Sequence, residues 1–143
     1  MNPLDRLFSG MRSSASGLAA ERARIDVIAR NIANAEATTT PEGGPYRRQL
    51  VRFEPILREL ADGSRVAEGV RVAGVVEDRE TPFEVLHDPA HPDADELGNV
   101  LLPNVNTARE MADMITALRA YEANLNAEDA FVRMAEKALR LAQ

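Results

Sequence analysis

Asn106 to Leu141 reads NTAREMADMITALRAYEANLNAEDAFVRMAEKALRL. Counted in sevens, Met111, Leu118, Leu125, Val132 and Leu139 fall on one register without a break. Three places further on in each heptad stand Met114, Tyr121, Glu128, Ala135 and Ala142. An α-helix returns to the same face every seven residues, so this spacing predicts a long helix with one narrow apolar seam. Such a seam gains from burial only when another helix covers it.

The start of the chain repeats the pattern. Leu4, Met11, Leu18, Ile25 and Ile32 are spaced by seven, while Leu7 and Ile28 share a companion position with Ser14 and Glu21. The expected fold class is mainly α with a small β module. Long N- and C-terminal heptad helices form an antiparallel coiled-coil-like pair, with a short-strand domain between them. The expected boundaries are 1–36 for the first helix, 37–103 for the strand module and its loops, and 104–143 for the last helix. The simplest antiparallel register sets Ile32 opposite Met111, Ile25 opposite Leu118, Leu18 opposite Leu125, Met11 opposite Val132 and Leu4 opposite Leu139. It also places Ile28 near Met114, Leu7 near Ala135, Glu21 near Tyr121 and Ser14 near Glu128. Each seam facing a neighbouring subunit instead is the open alternative.

At 143 residues the chain is one domain-sized unit, but two such helices make it elongated, each spanning roughly 45 Å at 1.5 Å per residue. Hydrophobic residues make up 45% and aromatics only 4%, so large core residues are scarce and a big globular core is not expected. A net charge of −6 argues against a general nucleic-acid binder. Without cysteine, neither a disulfide scaffold nor a thiolate metal site is possible. No stretch is apolar enough for a membrane-spanning helix, and Asp5 and Arg6 interrupt any signal-peptide pattern, so no direct membrane insertion and no cleaved leader are expected.

Along the first helix, Gly10 and Gly17 each cost on the order of 1 kcal/mol relative to Ala. Ser13, Ser14 and Ser16 add to that, so Ser9 to Gly17 is expected to be its weakest part. Asn31 to Ala35 ends the helix, its asparagines being suited to a left-handed closing turn. Thr38-Thr39-Thr40 and Pro41 discourage continuation, and Pro41 to Pro45 is a loop. Val51 and Phe53 alternate with Arg52 and Glu54 as a strand, which Pro55 ends or confines to an edge. Asp62-Gly63 marks a turn before a second strand around Val70, Val72 and Val76, broken by Gly74. Phe83, Val85 and His87 suggest a third strand, and Val100 to Leu102 a fourth. Pro103 stops it, and Asn104 or Asn106 caps the last helix.

Chemistry is hard to find. His87 and His91 stand four apart among aspartates, but Pro89 and Pro92 forbid the helix that would aim both at a metal, so a solvated acidic turn is expected. No serine sits in a nucleophile elbow, and Pro41 to Pro45 lacks the Lys and Ser/Thr of a phosphate loop. Tyr46-Arg47-Arg48 suits an anion or carboxylate partner, or a plain exposed strand start. No cofactor and no catalytic residue are expected. The materials are those of a self-assembling structural protein, with a non-catalytic coiled-coil adaptor or chaperone as the rival class.

The two inner helix ends carry a resemblance. Gly17-Leu18-Ala19-Ala20, then Asn31-Ile32-Ala33-Asn34-Ala35 and Thr38 to Thr40, resembles the N-terminal signature of the bacterial flagellar rod and hook axial proteins. Asn104-Val105-Asn106, then Glu110-Met111, Met114 and Arg119-Ala120-Tyr121-Glu122-Ala123-Asn124, is similar to their C-terminal signature. Thr40 to Arg48, including Tyr46 and Arg47, and Asp88 to Asp95 narrow the resemblance to the short proximal-rod members. Asn99 departs from the pattern, in which an aromatic follows Gly98. The residues between Ile56 and Glu80 match no motif. The resemblance implies a non-catalytic rod subunit, exported unfolded through the flagellar type III apparatus without signal cleavage. Its implied partners are other rod proteins and further copies of itself, in a helical tube that crosses the periplasm and transmits torque.

Overall fold

The computed structural model describes residues 3–60 and 63–141, with side chains described for residues 8–60 and 63–140. Helix α1 spans Pro3–Ala33 and helix α2 Thr107–Leu141. Strands β1 (Gln49–Glu59) and β2 (Arg65–Glu77) form one antiparallel hairpin. Strands β3 (Glu84–His87) and β4 (Asn99–Leu102) form a second, smaller antiparallel pair. Two helices with a small strand module between them is the expected layout.

Local chemistry explains most boundaries. Pro3 opens α1, where a missing N–H costs nothing. At the start of α2 the Arg109 N–H donates to Asn106 Oδ1 at 2.9 Å, so Asn106 is the cap. Asn104 is not; it is buried elsewhere. The close of α1 differs from expectation, because no residue other than glycine takes a positive φ among those described. Instead the Asn34 side chain donates to the Arg30 carbonyl at 2.8 Å and satisfies the helix end directly.

The hairpin is longer than the punctuation suggests. β1 runs through Pro55, which pairs with Val70, and β2 runs through Gly74. A two-stranded ribbon has only edges, so a proline can sit where its absent N–H has no partner to lose. Register shifts beside Arg52/Phe53 and Ile56/Leu57 leave Ala73 and Glu68 as extra residues on β2. The connection turns at Gly63, whose φ of 81° favours glycine; Asp62 lies outside the described residues. α1 holds the ribbon: Ser16 Oγ accepts from the Val70 N–H at 3.1 Å, and Arg12 pairs with Glu68.

The helices run in opposite directions along their contact, but not in the apolar register. A Cβ on Gly10 would meet the Phe131 ring at 2.5 Å, and one on Gly17 would meet the Asn124 amide at 2.9 Å. Asn31 bonds Glu110 at 2.9 Å. Each step of seven along α1 is matched by seven back along α2. The facing rows are therefore Gly10, Gly17, Arg24 and Asn31 against Glu110, Ala117, Asn124 and Phe131. They lie one residue away from the rows expected to meet.

The consequence is a correction. Met111, Leu118, Leu125, Val132 and Leu139 are not in the intrachain contact; they are 53%, 44%, 44%, 41% and 68% exposed, whereas Ala117 is 0% exposed. Leu118 and Leu125 thus stand beside the row that meets α1, not in it. The companion row fares better, with Met114 and Tyr121 half-buried and Ile28 buried. Met11, Leu18, Ile25 and Ile32 are also half-buried. The side chains of Leu4 and Leu7, and all of Ala142, lie outside the described residues. The physical reason for the shift is twofold. Small residues let the helix axes approach closely, and hydrogen bonds at the Asn31–Glu110 end fix the rotation of α2. Ser9 to Gly17, expected as the weak stretch, is continuous helix whose glycines make room for the partner helix.

Candidate assembly interface and its polar clamp

The largest fully buried side chains are Glu110, Val100 and Asn31. Two of the three are polar, so hydrogen bonds rather than aliphatic packing organise this core. Asn31 reaches it from the last turns of α1. Its Nδ2 donates to the Gln49 carbonyl and to Glu110 Oε2, both at 2.9 Å. Its Oδ1 accepts from the Gln49 N–H at 2.9 Å and from the Tyr46 hydroxyl at 3.0 Å. An asparagine amide has two donors and an acceptor with two lone pairs, and here all four are used.

Glu110 comes from the first turn of α2, where the helix dipole favours a carboxylate. Its second oxygen accepts from Arg48 Nε at 2.7 Å. The same guanidinium lies 3.6 Å from both Asp78 and Asp113. A buried charge needs a partner and hydrogen bonds, and Glu110 has both. Asn104 completes the cluster: its Oδ1 accepts from the Arg48 N–H at 2.7 Å, and its Nδ2 donates to the carbonyls of Asp78 and Thr81 at 2.9 and 3.0 Å. The end of α1, the start of β1, the bend after β2 and the start of α2 are thus tied at one point.

Electrostatics follow this geometry. The Thr81 N–H, more than any other group, holds the Asp78 carboxyl below its usual range, aided by the Thr81 hydroxyl, the Glu80 N–H and Arg48. Burial pushes the Tyr46 phenol up; Arg30 opposes this and Glu110 adds to it. Arg47 stacks on Phe83, 4.2 Å from the ring centre, and donates to the Asp78 carbonyl at 3.3 Å.

The residues singled out in the sequence divide between two places. Asn31, Tyr46 and Asn104 are in the clamp, and Arg47 braces its edge. Asn106 caps α2, Asn34 closes α1, and Asn124 packs on Gly17. Ile32 and Val105 are half-buried, whereas Ala33, Arg119 and Glu122 are exposed. The exposed apolar row of α2 forms the other feature, a stripe about 100° round the helix from the row that meets α1. Arg48, Glu110 and Asp78 were missed as a cluster. Their signal was the Tyr46-Arg47-Arg48 run, which does find a carboxylate partner, and a glutamate in line with Ala117, Asn124 and Phe131. His87 and His91 shape their loop: His87 Nδ1 lies 3.1 Å from Asn99 Oδ1, and His91 Nδ1 accepts from the Asp93 N–H at 3.1 Å. Asn99 opens β4 and pairs with His87.

Comparison with known proteins agrees with this layout. Residues 11–40 match the family described as flagella basal body rod protein, and residues 98–141 match flagellar basal body rod FlgEFG protein C-terminal. These two matches bracket the clamp. The flagellar basal-body rod protein FlgC of Borreliella burgdorferi is 43% identical, over 96% of this chain and 98% of its own. FlgC of Aquifex aeolicus is 44% identical over 85% and 86% of the two chains, and FlgC of Bacillus subtilis 38% over 94% and 97%. With that identity over nearly the whole length, the chain belongs to the FlgC family of flagellar basal-body rod proteins, which are structural subunits and not enzymes.

Proposed function

We propose that this chain is a proximal-rod subunit that assembles with other rod proteins and with copies of itself into a helical, torque-transmitting tube. Its end segments, 1–36 and 104–143, are the rod core and act as an antiparallel coiled-coil-like pair; 37–103 is the strand module carried beside them. The observation that carries this reading is the stripe of Met111, Leu118, Leu125, Val132 and Leu139, exposed although apolar. Within the chain it is the neighbouring row through Ala117, about 100° round α2, that faces α1, which leaves this row for neighbouring subunits. Interlocked, close-packed helices supply the stiffness that torque transmission needs. Repeating one unlike-patch contact generates a helical array instead of a closed dimer.

Membership of the same family supports a setting for this subunit. The subunit reaches the rod, in the periplasm, through the flagellar type III apparatus without losing a leader. No helix among the described residues is long and apolar enough to cross a membrane. The rival reading, a coiled-coil adaptor, requires a stable soluble dimer in place of a rod.

Leu125→Asp tests the proposal. An exposed aspartate is tolerated in the free chain, whereas a carboxylate buried between subunits costs several kcal/mol or more. The expected result is a folded monomer, no rods and no swimming. Normal swimming would show that the stripe faces water and would overturn the proposal.

A further inference from the structure

The small β3–β4 pair leaves an apolar surface open. Side chains alternate between the two faces of a strand, and residues paired across strands share a face. On one face Val100 is 1% exposed. On the other, Val85 pairs with Leu101, and these two are 61% and 48% exposed. With Pro45 they supply the apolar lining of a groove of about 590 Å³, whose polar lining includes Thr38, Asp93 and Asp95. Both carboxylates are fixed in place. Asp93 accepts from the Thr38 hydroxyl at 2.6 Å, and Asp95 from the N–H groups of Leu97 and Asn99, both at 2.8 Å. Chiefly through the Thr38 hydroxyl for Asp93 and the Asn99 N–H for Asp95, both carboxyls are held below their usual range and are ionised at neutral pH.

The charge around this groove is concentrated and uncompensated. Residues 77–96 hold eight carboxylates and one arginine, a balance of −7 where the whole chain carries −6. That arginine, Arg79, is taken by Glu77 at 3.1 Å, and Asp78 lies 3.6 Å from Arg48. Glu80, Glu84, Asp88, Asp93, Asp95 and Glu96 have no ion-pair partner among the described residues. His87 shares the open face but lies against Asn99, 3.1 Å away. An exposed apolar patch rimmed by fixed charge of one sign marks an interaction surface and states the sign of what it takes.

We infer that this groove binds an extended peptide segment of a partner protein in which arginine or lysine alternates with aliphatic residues. The aliphatic side chains cover Val85 and Leu101. The stem of the basic residue lies along the same surface while its head reaches Asp93 or Asp95. An acidic segment of the same shape is repelled. The inference goes beyond the rod-subunit reading and stands on the strand module alone.

Two capped pentapeptides supply the test, one alternating valine with arginine and the other valine with glutamate. Each is titrated into the full-length chain and followed by amide chemical shifts. The arginine peptide is expected to move the amides of Val85, Asp93, Asp95 and Leu101, and to bind several-fold more weakly at high salt, which screens exposed charges. The glutamate peptide is expected to leave those amides in place. Asp93→Asn combined with Asp95→Asn keeps the acceptor oxygens and removes both charges, so it is expected to weaken binding several-fold. No shift at these amides with the arginine peptide, equal shifts with both peptides, or unchanged affinity in the double variant overturns the inference. If the double variant does not fold, the glutamate peptide and the salt dependence decide in its place. Failure of peptide binding leaves the rod reading standing, whereas a chain that binds the peptide but is missing from basal bodies overturns the rod reading alone.

Discussion

Asn31 Nδ2 lies 2.9 Å from Glu110 Oε2, joining the last turns of α1 to the first turn of α2 across 79 positions of sequence. Glu110 is 0% exposed and its other oxygen is taken by Arg48. Removing one partner of a buried, hydrogen-bonded charge pair destabilises by about 3–5 kcal/mol, because it strands the other charge. Glu110→Ala leaves Arg48 beside Asp78 and Asp113, each 3.6 Å away, so it is expected to cost less than that, about 1–3 kcal/mol in denaturant unfolding, for the donors of Asn31 and Arg48 that lose their acceptor. Asn31→Ala strands several neutral groups, each worth about 1–3 kcal/mol, and is also expected to be severe. Values within 0.5 kcal/mol of the parent for both variants would show that the clamp is not what holds the two ends.

Gly10 and Gly17 supply a prediction that departs from helix propensity. On propensity alone, Gly→Ala in a helix interior stabilises by roughly 0.5–1 kcal/mol. Here the new methyl meets Phe131 at 2.5 Å or Asn124 at 2.9 Å, and overpacking of this kind costs about 1–3 kcal/mol. Gly10→Ala is expected to lower the unfolding midpoint, and Gly17→Ala to gain little of the usual stabilisation, because the end of the Asn124 side chain must turn aside. Gly10→Ala combined with Phe131→Leu, which shortens the facing side chain, is expected to recover part of the loss. A raised midpoint for Gly10→Ala alone would show that the helices do not approach closely there.

Stability is expected to fall at both ends of the pH scale. Hydrogen bonds from the Thr81 N–H, the Thr38 hydroxyl and the Asn99 N–H depress the carboxyls of Asp78, Asp93 and Asp95 respectively. A depressed carboxyl contributes stability that is fully present above its ordinary pKa and is lost as pH falls through the lowered, folded-state value. Tyr46 is raised, chiefly by burial, so its contribution holds below its ordinary pKa and is lost as pH rises through the raised value. Thermal melts across pH check this: Asp78→Asn should flatten the acid limb and Tyr46→Phe the alkaline one. Unchanged limbs in both variants would remove these groups from the account.

The sequence made the layout legible because two long periodic segments flank a stretch rich in Gly, Pro and β-branched residues. Strand positions around Val51, Val70, Val85 and Val100 were equally readable. What failed was the helical rotation. The apolar rows through Leu18 and Leu125 looked like a buried contact, since periodicity reports which residues share a face and not which face is covered. In a monomer the row through Gly10 and Gly17 packs better, because small residues allow close approach and Asn31–Glu110 locks the angle. The clamp was half visible: Asn31, Tyr46, Arg48, Asn104 and Glu110 belonged to recognisable signatures, which did not say that their side chains meet. Its charged members, Arg48, Glu110 and Asp78, are far apart in sequence and meet only when both strand pairs are in place.

Ala117 and Leu118 are neighbours in sequence, yet the two readings of the helix contact assign them opposite roles. In the apolar register Leu118 is buried against α1 and Ala117 points away. In the structure Ala117 is 0% exposed and Leu118 44% exposed. Aspartate at each position separates the two. Ala117→Asp forces a larger, charged side chain between closely packed helices, opposite Arg24, and overpacking of this kind costs about 1–3 kcal/mol, so it is expected to destabilise the monomer. Leu118→Asp places the same group in water, where surface substitutions stay within about 0.5 kcal/mol, so the monomer is expected to keep its circular dichroism and melting midpoint. In cells both are expected to abolish swimming, but for different reasons, the first through loss of the folded subunit and the second through loss of assembly. A destabilised Leu118→Asp monomer beside an intact Ala117→Asp monomer would reverse the assignment and restore the apolar register.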